Sequence, residues 1–277
     1  MSDIQEPATA RDLSHARSLL FAPGGDERKL SAALASEADL VVADLEDAVA
    51  PAEKPAARDV VARIVPRVVR VNGVDTEWFE GDLALVTGME LDAVVLPKAT
   101  PDAVASLGPY GPPLIAIVET AQGLRLAYET ASAPRVAALV LGAVDLGAEL
   151  ALEPRPDGLE ILHARSRVVV DSAAAGIRPP FDVVHLDVRD DAGLEAECAF
   201  TRSLGFRGKA CIHPQQVPIV NRAFGPTERD VAWARRVVEA YEQHVGVGEG
   251  VFALNGEMVD LPVVERARRV LDEAERS

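Results

Sequence analysis

The stretches IVETAQG, residues 117–123, and LVLGAVDLG, residues 139–147, each carry a short apolar run that stops abruptly at a carboxylate, Glu119 in the first and Asp145 in the second. Apolar runs of this length, rich in Val, Ile and Leu and bounded by Gly or Pro, read as strands buried on both faces. A charge that closes such a run sits where the sheet meets water. The two acids are 26 residues apart, about what a strand, a crossover helix and the next parallel strand consume. They are therefore expected to end adjacent strands about 4.8 Å apart, where both can reach one ion at metal–oxygen distances of about 2.1 Å. Without a cation, two acids so close repel, and one is driven to keep its proton. A hard divalent cation, Mg²⁺ before others, removes that conflict. Either acid alone reads equally well as a solvated strand end or an arginine's partner, so the pair is the informative object.

Outward from this pair the same alternation recurs. RSLLFAPGG (17–25), DLVVADLEDAV (39–49), RVVRVNG (67–73) and DAVVLPKAT (92–100) read as the four preceding strands, FDVVHLDV (181–188) and KACIHP (209–214) as the two that follow. Asp26 is placed to cap a helix running through Ala35, Ala52 to Ile64 carries helical spacing, and GLEILHARSRVVVDSAAAG (158–176) puts a longer helix in the one wide gap. Strands at intervals mostly in the twenties, with a helical pattern in nearly every gap, predict a closed (β/α)₈ TIM barrel, an α/β fold, over residues 16–225. An open doubly wound sheet is the competing architecture, but PGGDER (23–28) is not the Gly-rich nucleotide fingerprint of its first turn.

Residues 226–277 follow another pattern, a C-terminal helix–hairpin–helix extension. Thr227 and Asp230 stand as a capping box for a helix with Trp233, Val237, Val238 and Tyr241 roughly along one side. VFAL and EMVD flank Asn255-Gly256, a type I′ hairpin signal, and Pro262 suits the first turn of a final helix. A barrel closes without this segment, which points to a lid, an oligomer contact or both.

Composition narrows the function. The chain has 277 residues, 48% of them hydrophobic, with 28 Lys and Arg against 44 Asp and Glu for a net charge of −16. Such a field repels nucleic acid and anionic membranes, and an anionic ligand needs a local basic pocket. The stretch MSDIQEPATARDLSHARS lacks the apolar core of a signal peptide, and no run approaches the roughly 18 apolar residues of a membrane span. A soluble, cytoplasmic protein is expected. Cys198 and Cys211 are too few for a disulfide framework and lack metal-ligand spacing, so they read as reduced thiols.

A parallel barrel points every strand C-terminus to one face. There the chain places Glu46, Asp47, Arg70, Asn72, Lys98, Glu119, Asp145 and His213, and Glu46, Asp47 and Arg70 are the candidates for catalysis. Alternation puts Val68, Arg70 and Asn72 on one side of their strand. A guanidinium inside the rim needs a carboxylate, and Asp47, near the end of the neighbouring strand, is the candidate holder; a purely structural ion pair is the alternative. Mg²⁺ on Glu119 and Asp145, with Arg70 opposite, would bind a 2-oxo acid by its carboxylate and ketone oxygens and hold charge developing on an oxyanion. Such a site suits making or breaking a carbon–carbon bond beside a carbonyl. Lys98 reads as an ion-pair partner or, alternatively, as the amine of a Schiff-base aldolase. His213, before Pro214, reads as a turn residue before it reads as a base.

The motifs RSLLFAPG, DLEDAV with EKPAAR, VRVNG, LPK, ETAQG, GAVDL, GKACIHP and NGEMVD occur in the order and roughly at the spacing of the citrate lyase β-subunit-like family, which groups with malyl-CoA and citramalyl-CoA lyases. The chain resembles that family from about residue 17 to its end. The resemblance implies a TIM barrel in a homotrimer or homohexamer, with Mg²⁺ on Glu119 and Asp145 and the oxo acid (oxaloacetate, glyoxylate or pyruvate) on Arg70. It further implies that Asp260, from a neighbouring subunit, covers the site as acid/base, a residue that otherwise reads as a turn acid before Pro262. Lys54 and Arg58, four apart on one helix face, would meet the phosphates of a coenzyme A thioester, a solvated basic face being the alternative. One departure stands out: family members commonly read Gly-Ala-Glu-Asp-Leu where this chain has Gly142, Ala143, Val144, Asp145 and Leu146. A charge beside the metal ligand is missing, which leaves substrate range open and keeps a non-catalytic subunit of an acyl-transfer complex as a rival reading.

Overall fold

The computed structural model describes residues 13–245 and 251–276, which form two compact units, one ending at Asn221 and one beginning at Arg222. The first contains seven parallel strands: β1 (Ser18–Pro23), β2 (Leu40–Asp44), β3 (Val68–Arg70), β4 (Ala93–Leu96), β5 (Leu114–Val118), β6 (Val136–Leu141) and β7 (Lys209–Cys211). Their order in the sheet is β6-β5-β4-β3-β2-β1-β7. Between them run α1 (Glu27–Leu34), α2 (Lys54–Ile64), α3 (Phe79–Thr87), α4 (Pro101–Ser106), α5 (Ala121–Arg125), α6 (Ala127–Ala131), α7 (Ala143–Glu149), α8 (Leu162–Ala174) and α9 (Asp191–Leu204), with α10 (Gln216–Phe224) following β7. Asp26 caps α1, its Oδ1 accepting the Lys29 N–H.

The strand expected over 181–188 is reduced to two residues. Phe181 bridges to Val140 of β6 and Asp182 to Lys209 of β7, both parallel, so this short stave joins the two ends of the sheet and closes the barrel. Pro179 and Pro180 have no N–H to give, which delays pairing to Phe181. Beyond Asp182 the chain leaves the ladder, and the His185 carbonyl accepts from the Gln216 side chain at 2.8 Å.

Period-two alternation turns one face of every stave inward. Leu19, Leu40, Val42, Val68, Val95, Ile115, Ile117, Val140, Phe181 and Ala210 pack as one core, the filled interior of a barrel rather than a pore. The opposite face of the closing stave carries charge. Lys209 and Asp182 are fully buried, with Lys209 Nζ 2.8 Å from Asp182 Oδ2 and 3.2 Å from Glu197 Oε2. Arg165, from α8, completes the cluster against Asp182 at 3.0 Å and Glu197 at 2.6 Å. No single motif announced this network, because its members come from four separate elements.

In the second unit, α11 (Glu228–Val245) and α12 (Leu261–Arg276) enclose the hairpin β8 (Phe252–Leu254) and β9 (Glu257–Val259). The capping box forms as read, with Thr227 N–H on Asp230 Oδ2 and Asp230 N–H on Thr227 Oγ1, each 3.1 Å. Asn255 and Gly256 both adopt positive φ, 51° and 87°, which a type I′ turn requires. Val237, Phe252, Val259 and Val264 make this unit's own core, with Trp233, Val238 and Tyr241 against it. Among the described residues no helix is long and apolar enough to cross a membrane.

Breaking a buried ion pair from one side leaves an uncompensated charge, at a cost of about 3–5 kcal/mol. Lys209→Met is accordingly expected to lower the urea unfolding free energy by about 3 kcal/mol, while a surface control, Lys29→Met, leaves it unchanged.

Candidate active site

Parallel pairing sets Asp44, the last residue of β2, level with Arg70, the last residue of β3. Both stand two positions beyond interior valines, Val42 and Val68, so both side chains turn into the barrel mouth. Arg70 donates from Nε to Asp44 Oδ1 at 2.7 Å and from Nη2 to Oδ2 at 2.6 Å. The same carboxylate accepts the backbone N–H groups of Glu46 and Ala48. The guanidinium lies 5.1 Å over the Phe21 ring, and its Nη1 is 2.9 Å from Glu46 Oε2, in ionic contact without hydrogen-bond alignment. Burial opposes the charge on Arg70, but Asp44, Glu46 and Asp47 outweigh it and raise its pKa.

Asp47, the expected holder, is 3.3 Å from Nη1 with its side chain largely in solvent. Asp47 thus accepts one hydrogen bond from Arg70, but the principal holder is Asp44, the strand residue level with Arg70, whereas Asp47 lies three residues into the loop. The signal was present in DLVVAD, an apolar run that itself ends in an inward-facing acid. Glu46 is buried, which raises its pKa, and its Oε1 accepts from Lys98 Nζ at 3.1 Å.

Glu119 follows β5 directly and is only 4% exposed. Its Oε1 accepts the Lys98 backbone N–H at 2.7 Å. Gly142, just past the adjacent β6, makes room for it: a Cβ there would collide with the Glu119 side chain and come within 2.9 Å of Ile117 Cγ2. Burial, then the nearby charges of Glu46 and Asp145, push the Glu119 carboxyl up to about 7 despite the Lys98 N–H.

Asp145 does not end a strand. β6 stops at Leu141, the Gly142 N–H extends the ladder once to the Val118 carbonyl, and Gly142 then begins α7, with Asp145 exposed in its first turn. An acid there is favoured by the helix dipole, and Asp145 is still near enough to act on Glu119. Val144, beside it, is half exposed.

Lys98 takes a left-handed conformation at φ 47°, which costs a side-chain-bearing residue about 1 kcal/mol. Burial would lower its pKa, but Glu46, Glu119 and Asp145 raise it. That is the reverse of what a Schiff-base amine needs. Beside it opens a cavity of about 530 Å³ lined by Lys98, Asp75, Thr100, Thr120, Gln122 and Glu149 among others.

The basic pair on α2 is differently placed from the reading of a phosphate-facing surface. Lys54 is buried and donates to the Leu45 and Glu46 carbonyls at 2.8 Å each, with its Nζ 5.0 Å from the Trp78 ring. Arg58 donates to Asp82 at 2.7 Å and to the Trp78 carbonyl at 2.9 Å. Both brace the loop behind the rim. Asp82, fully buried and unremarked in the sequence, joins them by accepting from Asn72 at 2.6 Å. His213 lies in a turn, its Nδ1 accepting the Gln215 N–H. Asp260 follows β9 and caps α12, accepting the Val263 N–H.

The donor set fits Mg²⁺. Glu119 is a carboxyl whose pKa is raised first by burial and then by the charges of Glu46 and Asp145, and Asp145 is the second hard oxygen donor within its field. Among the described residues no group of three or more His, Cys, Asp or Glu forms a full cage. One or two carboxylates, completed by water and substrate oxygens, are what Mg²⁺ usually takes.

A (β/α)₈ fold with a charged C-terminal rim of this kind defines a barrel enzyme. The family profile described as HpcH/HpaI aldolase/citrate lyase matches residues 17–107 and 111–214. The (3S)-malyl-CoA thioesterase of Cereibacter sphaeroides is 38% identical over 271 residues, 94% of each chain. Citrate lyase subunit beta of Escherichia coli is 38% identical over 284 aligned positions, again 94% of each. A crystal structure of protein CitE from Mycobacterium tuberculosis in complex with magnesium, acetoacetate and coenzyme A superposes with a TM-score of 0.85 at 38% identity, covering 95% of this chain and 100% of that one. The chain belongs to the HpcH/HpaI aldolase/citrate lyase family and is an enzyme of the carbon–carbon lyase class.

The raised Glu119 pKa has a definite sign in stability. From the ordinary value of 4.5 up to about 7 the folded state holds a proton that the unfolded state has lost, so metal-free protein loses stability as pH rises through that window. Glu119→Gln removes the effect: without divalent cations the variant should be more stable than the parent by about 1–3 kcal/mol at pH 8 and no more stable at pH 4, read from urea midpoints.

Proposed function

We propose that this chain is a Mg²⁺-dependent lyase that cleaves, or in reverse forms, a 3-hydroxyacyl-CoA of the citryl, malyl or citramalyl type. The products are acetyl-CoA and a 2-oxo acid: oxaloacetate, glyoxylate or pyruvate. The observation that carries the reading is a single rim that brings together a buried guanidinium held by Asp44 at the end of β3 and a buried carboxylate, Glu119, at the end of β5 with Asp145 in its field. Glu119 and Asp145 would hold the cation, which when bound draws electron density from the carbonyl oxygen.

The steps follow from the residues. Arg70, fixed square by Asp44 with Glu46 and Asp47 around it, faces the oxo-acid end and stabilises the oxyanion that forms as the hydroxyl gives its proton to the Asp260 carboxylate of a second copy of the chain. The carbon–carbon bond breaks, its electron pair passes to the carbon beside the thioester, and the hydroxyl carbon becomes the ketone. The resulting thioester enolate takes a proton from Asp260 of a second copy of the chain, in a homotrimer or homohexamer, so that residues 226–277 serve as lid and oligomer contact for the barrel of residues 16–225. Besides Arg70, Lys98 is the expected substrate-facing cation that stays half exposed beside the cavity while pairing with Glu46, whereas Lys54 and Arg58 are taken up by protein carbonyls and Asp82. Cytoplasmic action suits two reduced, buried thiols.

A screen of citryl-, malyl-, citramalyl- and hydroxymethylglutaryl-CoA for magnesium-dependent retro-aldol cleavage tests the reading, and Val144 makes the breadth of the screen worthwhile. Turnover that survives EDTA, or an undiminished rate in Glu119→Ala, would overturn it. Arg70→Lys loses the two-pronged geometry and is expected to lower kcat/KM by about 100-fold. Asp260→Asn should lower kcat with little change in oxo-acid affinity, and an affinity loss without a change in kcat would remove Asp260 from proton transfer.

A further inference from the structure

We infer that Lys98 is a positioning residue that ties the Glu119 carboxylate to the Glu46–Arg70 cluster, its main chain serving the first and its ammonium the second. The local chain path shows how. β4 ends at Leu96, and Pro97 has no N–H to continue the ladder. Lys98 turns left-handed at φ 47° and sends its N–H to Glu119 Oε1 at 2.7 Å. Ala99 then returns to the ladder, donating to the Ile117 carbonyl at 3.0 Å. Lys98 is thus a one-residue excursion whose backbone donor is aimed at the carboxylate of the next strand.

The side chain works in the opposite direction. Its Nζ is 3.1 Å from Glu46 Oε1, and the other oxygen of Glu46 is 2.9 Å from Arg70 Nη1. A glycine would adopt the same turn with less strain but could not reach Glu46. One residue therefore sets the aim of a cation-binding oxygen and the seat of the guanidinium's neighbour, as outer partners of metal ligands do. The inference rests on the proposed assignment of the cation to Glu119 and the oxo acid to Arg70.

Lys98→Gly and Lys98→Val separate the two roles. Both delete the ammonium, but only valine resists the left-handed turn. With Mn²⁺ as the probe, read by electron paramagnetic resonance, Lys98→Gly should bind within about twofold of the parent and Lys98→Val about tenfold more weakly. Both should weaken oxalate binding to the Mn²⁺-loaded protein by about tenfold, and Lys98→Arg should recover most of that loss. Should Lys98→Val fail to fold, Lys98→Ala takes its place in the same comparison. Equal Mn²⁺ affinity in the glycine and β-branched (or alanine) variants, or oxalate affinity unmoved in both, overturns the inference. Mn²⁺ that does not bind the parent protein at all overturns the metal assignment, and this inference with it.

Discussion

A guanidinium at the mouth of an apolar barrel demands a carboxylate held square to it, and the in-register pairing of β2 with β3 brings Asp44 level with Arg70 to meet that demand. The pairing does more than neutralise a charge. Asp44 also accepts two loop N–H groups, so the turn carrying Glu46 and Asp47 is anchored to the same carboxylate. Lys54 and Asn72 grip the Leu45 carbonyl from either side. The rim around Arg70 is therefore stiff before any substrate arrives, which is the condition for electrostatic stabilisation without reorganisation.

The two halves of the rim are charged differently. Around Arg70 each positive group has a facing acid, and Lys98 adds a second cation to Glu46. Around Glu119 the balance runs the other way, with Glu46 and Asp145 both acting to hold a proton on a buried carboxyl. An anion is welcome on the first side and a cation on the second. A 2-oxo acid chelated to a divalent ion presents both.

The Arg165–Asp182–Lys209–Glu197 cluster offers a useful contrast. It too gathers buried charges, yet Lys209 and Asp182 are sealed from solvent and lie where the two-residue stave closes the barrel. Its charges are mutually satisfied, with three donors shared between two carboxylates. With Lys209, Asp182 and Arg165 sealed and paired, it locks the seam. The rim differs in having a carboxylate short of charge and a cavity alongside.

Much of this was legible in the chain itself. The apolar runs marked the strands, Thr227 and Asp230 their reciprocal cap, and Asn255-Gly256 the hairpin, because such features depend on residues a few positions apart. The polar rim was legible as a set, since a parallel barrel gathers strand ends whatever their partners. Who pairs with whom was not: Asp44 ahead of Asp47 on Arg70, Lys54 turned inward, Asp145 on a helix rather than a strand, and the seventh stave cut to Phe181 and Asp182. Local preference and period determined the elements and their order by themselves. Only the tertiary structure decided partnership, because register levels residues some 26 positions apart, and no short stretch of sequence carries that alignment.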